Sequence, residues 1–463
     1  MFPHIQTIHF IGIGGIGMSG IAEILLSLGY GVSGSDLADN ATTARLVDLG
    51  AKVFKGHRPD QVGDADVVVT STAIKADNPE VIAARYRNIP IIPRAEMLAE
   101  LMRMKHGIAV AGAHGKTSTT SMLAHILCDT DLDPTVVIGG RLNKFNSNAK
   151  LGKGDYMLVE ADESDGSFMK LNPTISIVTN LDEEHLDHYK GGMQEIEQTF
   201  LAFMNKVPFY GLVVLCSDDE RLKALIPGIS RRVVTYGLYG DADLTAANIR
   251  HQGFGMTFDL MVRGKAIAPV SIRVPGIHNV LNSLAAIAVA LEFNVPIDSI
   301  VNSITKFTGA DRRFHQIGTC RERFFVDDYA HHPTEIKATL EAAKQAYPGG
   351  LVAVFQPHRY SRFSASWEKL LHAFDCADHV VVVPVYEAGE TPVPNIHSSR
   401  FAEELREKHA SVSYLDDLKT IDQHLEKVSS QGEMILALGA GSISKTIRDV
   451  HEKWRREDEL NNR

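Results

Sequence analysis

Short aliphatic runs alternate along this chain with stretches whose apolar positions recur at helical spacing. Strands are predicted at residues 7–11, around Val32, and at 66–70, 108–110, 156–160, 174–179 and 211–216. Helical patterns follow at 18–28, 95–104 and 116–127, and a long apolar one opens after Pro275 and reaches Leu291. Strand and helix in alternation predict an α/β fold with largely parallel sheets. Residues 243–274 break the rule: aromatic and β-branched alternation with little helical period reads as an antiparallel excursion. A third series of strands is predicted at 323–328, 351–356, 380–383 and 434–438, with a helix from Thr334. The charged tail from Trp454 to Arg463 is expected to fray.

The chain has 463 residues, too many for one core, and roughly two to four domains are expected. Its 44% hydrophobic and 22% charged residues are ordinary for a soluble globular protein. A net charge of −10 leaves no basic excess to track a nucleic-acid backbone, so no nucleic-acid partner is expected. Gly12, Gly14, Gly15 and Gly17 interrupt the first apolar run, and no run approaches a membrane span. Neither a leader nor a membrane partner is therefore expected. Cys128, Cys216, Cys320 and Cys376 lie far apart, which fits a reduced cytoplasm and argues against a cysteine-built metal site.

The chemistry gathers at strand ends. The run Ala111-Gly-Ala-His-Gly-Lys-Thr117 joins a strand to a helix, the layout of a phosphate cradle. Glycines let the backbone approach an anion, Lys116 reaches outer phosphates, and the Thr117 hydroxyl is placed for Mg²⁺. The longer form of this loop asks for an earlier glycine, where a valine stands here. Glu160 ends the next strand and is placed to hold Mg²⁺ or its water. Asn180 to His188 carries two histidines three apart among acids; zinc fits that spacing as well, although oxygen donors dominate. Earlier, Gly12-Ile-Gly14-Gly15-Ile-Gly17 follows a strand and opens a helix, and Asp36 stands about twenty residues on for a ribose hydroxyl. That fingerprint suits a nicotinamide dinucleotide or a UDP-sugar, since both carry a diphosphate beside a ribose. Ser71 and Thr72 end another strand of the same region. His278, Asn279 and Asn282 open the long apolar helix, more polar groups than a cap requires.

The glycine turn, the Gly-Lys-Thr loop, Glu160-Ala-Asp-Glu-Ser-Asp165, His278-Asn279 and Asp327-Asp-Tyr-Ala-His-His-Pro333 occur together in this order. The set closely resembles the Mur ligases of peptidoglycan synthesis and covers essentially the whole chain. The resemblance implies three domains: residues 1–104 Rossmann-like for a UDP-sugar, 105–309 a P-loop ATPase, and 310–463 a Rossmann-like domain closing over both. It implies UDP-N-acetylmuramate, ATP and L-alanine as substrates, with Mg²⁺ as cofactor, in a cytoplasmic monomer or homodimer. A sister ligase attaching a peptide to the same sugar is the alternative, and an NAD-dependent oxidoreductase a more distant one.

The resemblance places Gly14, Gly15, Ile16, Gly17, Ser35, Asp36, Ser71 and Thr72 at the UDP-sugar. ATP falls to Gly112, Ala113, His114, Gly115, Lys116, Thr117, Ser118, Asn279, Arg312 or Arg313, and Asp328; Mg²⁺ falls to Thr117, Glu160 and His185. Lys116, His185, His331, Arg359 and Arg362 are the expected catalytic set, the two arginines near the reacting carboxyl. Ala113 departs from the family, which commonly has threonine there, a mild loss of one hydroxyl.

Overall fold

Each predicted strand–helix pair forms, and further elements fill the spaces between them. A computed structural model describes residues 4–71, 73–142, 147–184 and 188–461. The chain begins β1 (Thr7–Ile11), α1 (Ile16–Ser27), β2 (Gly31–Asp36), α2 (Ala41–Asp48), β3 (Lys52–Lys55), β4 (Val67–Thr70), α3 (Pro79–Tyr86), β5 (Ile91–Pro93) and α4 (Arg94–Met102). Local chemistry sets several of these starts. The Asn40 carboxamide accepts the Thr42 and Thr43 amides while the Thr43 hydroxyl accepts the Asn40 amide, a reciprocal cap for α2. Asn78 caps α3, with Pro79 in the first helical position. The strands form one parallel sheet in the order β3-β2-β1-β4-β5. Between β2 and β4, the C-terminal end of β1 is the switch point where such sheets hold ligands.

The chain continues through β6 (His106–Ala111), α5 (Lys116–Leu127), β7 (Thr135–Leu142), β8 (Ser147–Lys150), β9 (Tyr156–Glu160), β10 (Ile175–Val178), α6 (Gly192–Asn205), β11 (Leu212–Cys216), α7 (Glu220–Leu225) and β12 (Val233–Tyr236). These strands order as β12-β11-β10-β6-β9-β7-β8, parallel except for the β8 edge. Strands β10 and β11 are buried throughout, as expected for a parallel sheet covered on both faces. The excursion expected at 243–274 is β13 (Leu244–Gln252), β14 (Gly255–Val262) and β15 (Lys265–Ile272), each beside the next. Helices α8 (Ile277–Glu292) and α9 (Ile297–Thr305) follow.

The last series is β16 (His315–Cys320), β17 (Arg323–Asp328), α10 (Pro333–Ala346), β18 (Leu351–Phe355), α11 (Tyr360–Leu370), β19 (His379–Val382), α12 (Ser398–Arg406), β20 (Val412–Tyr414), α13 (Ile421–Val428), β21 (Met434–Leu438) and α14 (Ile443–Asn461). Its sheet runs β16-β17-β21-β18-β19-β20, parallel but for β16. The strand period of two divides its core in two. Val326, Ala353, Phe355 and Leu436 pack on one face, and Phe325, Val352, Val354 and Ile435 on the other.

The chain divides into two compact units. One comprises Met1–Ala247, Asp259–Val270 and Leu281–Thr305, the other Asn248–Phe258, Ser271–Val280 and Lys306–Arg463. The division runs through β13, β14, β15 and the start of α8.

The tail corrects the sequence expectation: α14 continues through Asn461, and Trp454 is only 1% exposed. Ile443, Ile447, Val450 and Trp454 recur at helical spacing and lie in the core. Trp454 meets Phe325 edge-on, with the Arg321 and Arg323 guanidinium groups over its ring. Arg321 also pairs with Glu457 and Asp458. The charge that suggested fraying occupies only the outward face.

Both tryptophans, Trp367 and Trp454, lie in the second unit, so intrinsic tryptophan fluorescence reports its unfolding. Phe325→Ala, which opens a cavity beneath Trp454, is expected to cost about 3–5 kcal/mol. Urea titration followed by fluorescence checks this; an unshifted midpoint would show that α14 is not anchored there.

Candidate active site

Strand β6 sits between β9 and β10, so the turn leaving it is flanked by the C-terminal ends of both neighbours. Ala111 aligns with Val178, and Val110 with Glu160. Gly112 and Gly115 adopt φ of +129° and +83°, and neither position has room for a side chain. A Cβ at Gly112 would lie 2.1 Å from the Thr179 hydroxyl, and one at Gly115 2.5 Å from Asn282 Oδ1. The turn is laced to the end of β10. The Ala113 amide donates to the Asn180 carbonyl, the His114 amide to Asn180 Oδ1 at 2.8 Å, and the Thr179 hydroxyl to the His114 carbonyl at 2.6 Å. The His114 ring lies 2.8 Å from Asp182, so this side chain braces the turn from outside.

Lys116, first residue of α5, folds back over the turn. Its ammonium donates to the Gly112 carbonyl (2.6 Å), the Ala113 carbonyl (2.9 Å) and Glu163 Oε1 (2.7 Å). Burial opposes the charge, but Glu163 outweighs it and holds the lysine above its ordinary value. Burial likewise pushes Glu163 up to about 7, against the pull of Lys116. The Glu163 carbonyl accepts the Tyr189 hydroxyl at 2.7 Å, which fixes the loop carrying it. Sequence reasoning gave Glu163 no role; its only signal was its place in the acidic run after β9.

The Thr117 hydroxyl donates to Glu160 Oε1 at 2.8 Å, and Glu160 Oε2 accepts the Gly139 amide at 2.8 Å. Two hard oxygen donors therefore stand side by side at the strand end, a set that fits Mg²⁺. Ser118 is half-buried on the same turn. Thr119 donates to Asn282, and Thr120 to the Lys116 carbonyl. His185 lies outside the described residues.

At the first sheet, the Gly12 and Ile13 amides donate to the Ser35 carbonyl, which draws the glycine turn onto β2. Asp36 Oδ2 accepts the Gly14 amide at 2.9 Å, so Asp36 braces the turn it was expected to complete. Gly15 precedes α1 without a side-chain cap, and Ile16 is 54% exposed. Gly17 leaves its space to Arg94, whose Nη1 lies 2.8 Å from where a Cβ would stand. Ser35 is buried and donates to Glu80 at 2.6 Å. Ser71 lies near Gly12, and Thr72 is outside the described residues.

In the second unit, the ends of β17, β18 and β21 lie together, since β21 pairs with both of the others. Arg312 donates to the Gly439 carbonyl at 2.7 Å and lies over the Tyr329 ring at 4.7 Å. Asp328 accepts the Phe314 and Ala330 amides at 2.6 and 2.7 Å. These two expected ATP ligands are thus committed to shaping the strand tips. His331 Nδ1 lies 3.0 Å from the Tyr329 carbonyl. Arg359, in the left-handed region at φ 62°, precedes α11, and Arg362 lies in its first turn. Among the described residues neither side chain makes a hydrogen bond or an ion pair, so two cations stand available here. Burial, followed by the charges of His331, Arg362 and Arg359, pushes nearby His358 down to about 3. Asn279 donates to the Pro275 carbonyl at 2.7 Å as α8 opens, and burial pushes His278 down to about 4.

Asp328 carries a pH signature. Burial pushes it from 3.8 up to about 6, against Arg313 and its two backbone donors. The folded state then binds the proton more tightly than the unfolded chain, so this group's stabilisation is complete below 3.8 and disappears as pH rises through about 6. Asp328→Asn is expected to remove that slope from the second unit's stability. Urea midpoints of both proteins across the window check this; parallel profiles would refute it.

Comparison with known proteins accounts for this geometry. Residues 7–106 match the Mur ligase family catalytic domain, 110–290 the Mur ligase middle domain, and 312–441 the Mur ligase glutamate ligase domain. A UDP-N-acetylmuramate–L-alanine ligase from Syntrophotalea carbinolica is 54% identical over 98% of this chain and 99% of its own. One from Trichlorobacter lovleyi is 51% identical over 96% and 98%. The crystal structure of the UDP-N-acetylmuramate–alanine ligase from Thermotoga maritima aligns with a TM-score of 0.84 at 30% identity, covering 98% of this chain and 100% of that one. Among the described residues no helix is long and apolar enough to cross a membrane. The chain belongs to the Mur ligase family.

Proposed function

We propose that this chain joins L-alanine to the lactyl carboxylate of UDP-N-acetylmuramate, with ATP converted to ADP and phosphate, in the cytoplasmic synthesis of peptidoglycan precursors. The observation that carries the reading is the Lys116 cradle with the Thr117–Glu160 oxygen pair at its side, in a chain whose full-length relatives at half identity bear that activity in their names.

A carboxylate is a poor electrophile, so the amide needs an activated acyl group. A lactyl carboxylate oxygen attacks the γ-phosphorus of ATP, the bond to the β–γ bridging oxygen breaks, and ADP leaves an acyl phosphate. The alanine amine then attacks the acyl carbon, the carbon–oxygen bond to phosphate breaks, and the amine gives up a proton. The protein's part is to bring two anions together and offset their repulsion. Lys116 exchanges Glu163 and the loop carbonyls for phosphate oxygens, and the Gly112–Gly115 turn supplies backbone donors. Thr117 and Glu160, with His185, would hold Mg²⁺, which supplies charge neutralisation at the phosphates. Arg359 and Arg362, with His331 at the strand tips of the second unit, are the cations suited to the carboxylate and the developing acyl phosphate. The turn containing Gly14, Gly15, Ile16 and Gly17 takes the sugar nucleotide's diphosphate, with Ser35, Asp36, Ser71 and Thr72 around its nucleoside.

Lys116→Ala is expected to lower turnover by at least about a hundredfold while leaving UDP-N-acetylmuramate binding intact. Retained turnover would remove the cradle from the reaction. Glu160→Gln should raise the Mg²⁺ concentration needed for half-maximal rate, and an unchanged titration would exclude it as a ligand. Phosphate release over a panel of amino acids and peptides identifies the acceptor. L-Alanine should support it best, with glycine and serine weaker, because a small pocket separates one methylene or hydroxyl only modestly. Release only with a peptide would reassign the chain to a sister ligase.

A further inference from the structure

The two glycine turns of the first unit are linked through Arg94 and the loop after β9. Arg94 is the first residue of α4, directly after β5. Its Nη1 occupies the space beside Gly17 at the opening of α1, and its Nη2 donates to Asp162 Oδ2 at 2.9 Å. Asp162 is anchored in turn by the amide and hydroxyl of Ser164 at 3.1 and 2.6 Å. The next residue, Glu163, holds Lys116. An unbroken path therefore runs from Gly17 at the end of the first turn, through Arg94 and the loop after β9, to the lysine of the second.

The packing around this path is close. Asn148 on β8 donates to the Ile16 carbonyl, and Ser147 donates to Glu23 at 3.0 Å, so α1 is fixed against the edge of the second sheet. Lys170 pairs with Glu96, two residues further along α4. A guanidinium offers five N–H donors, and among the described residues Arg94 spends only one of its groups, Nη2, on a hydrogen bond. The donors that remain lie beside the uncapped first turn of α1.

We propose that Arg94 is a positioning residue that couples the two nucleotide sites: it shares its donors between the sugar nucleotide's pyrophosphate and Asp162. The inference rests on the function proposed above. With the pyrophosphate bound, Arg94 bridges two anions and fixes the loop of residues 161–165. ATP acts on the same loop, because taking Lys116 releases Glu163. A bound pyrophosphate that fixes Arg94 holds the loop through Asp162 when Lys116 leaves Glu163, so each ligand strengthens the other's binding. Gly17 is glycine because the arginine needs the space a side chain would fill.

Calorimetry on the full chain tests this with UDP-N-acetylmuramate and the Mg²⁺ complex of a non-hydrolysable ATP analogue, each titrated alone and in the presence of the other. In the wild type each ligand should tighten the other by about tenfold. Arg94→Ala should weaken UDP-N-acetylmuramate by about 10–100-fold, leave the analogue's own affinity unchanged, and bring the coupling factor to about one. Arg94→Lys should restore part of the affinity. Asp162→Asn, which keeps the acceptor for Ser164, should reduce the coupling with a smaller effect on sugar-nucleotide affinity and serves if the alanine variant fails to fold. Wild-type ligands that bind independently or oppose each other overturn the proposal, as does unchanged coupling in Arg94→Ala or, should that variant not fold, in Asp162→Asn. A wild type that turns over normally while Arg94→Ala binds as it does overturns this inference alone. A wild type that binds no UDP-N-acetylmuramate overturns the functional reading and this inference together.

Discussion

A buried ammonium needs a counter-charge, and that requirement organises the first unit. Lys116 is desolvated at the foot of α5, where an unpaired cation would be prohibitively unfavourable. Glu163 and two loop carbonyls meet it, and this fixes where the turn, the loop after β9 and Tyr189 must lie. The arrangement also makes the site ready for an anion. Under the function proposed above, a triphosphate would replace one set of oxygen acceptors by another and would not have to desolvate the lysine. The displaced Glu163, raised towards neutrality by burial, can take a proton as it leaves, which lessens the penalty of parting the pair.

Topology explains why this chemistry sits where it does. A parallel sheet returns each strand in the same direction, so all C-terminal ends open on one edge with helix starts beside them. In the second sheet β6 is central, and its neighbours β9 and β10 deliver Glu160 on one side and Thr179 and Asn180 on the other. In the third sheet the same rule gathers Asp328, Gln356 and Gly439. The Gln356 amide donates to the Leu438 carbonyl, and its side-chain oxygen accepts the Ile443 amide. Polar tips on strands far apart in sequence become one surface because pairing leaves them no other place.

Much of this was legible from the chain alone. Buried strands declare themselves as apolar runs, and those expected at 156–160, 323–328 and 434–438 form at those bounds. The turn from β6 into α5 was equally plain, since glycine, lysine and threonine carry their reasons locally. What escaped was partnership. Glu163 meets Lys116 from 47 residues away, and Asp162 meets Arg94 across 68. No local pattern records such distances. Asp36 was expected at the sugar nucleotide and Arg312 and Asp328 at ATP; in the structure their polar atoms brace turns and strand tips. Trp454 escaped for the opposite reason: its charged neighbours concealed an apolar stripe that surfaces only when every third or fourth residue is followed.

The glycine turn shows how far a fingerprint goes. Gly-x-Gly-x-x-Gly after a strand states that a diphosphate fits, and it does not choose between a nicotinamide dinucleotide and a sugar nucleotide. Its surroundings choose. In this chain the space released by Gly14 is taken by Asp36 and that released by Gly17 by Arg94, so both glycines serve neighbouring side chains more than backbone freedom. Arg94 then reaches Asp162, beside the residue that holds Lys116. A redox cofactor would have no use for a path into a phosphoryl-transfer site. A substrate about to be phosphorylated does: under the coupling proposed above, the Arg94–Asp162 pair lets one turn register what the other has bound.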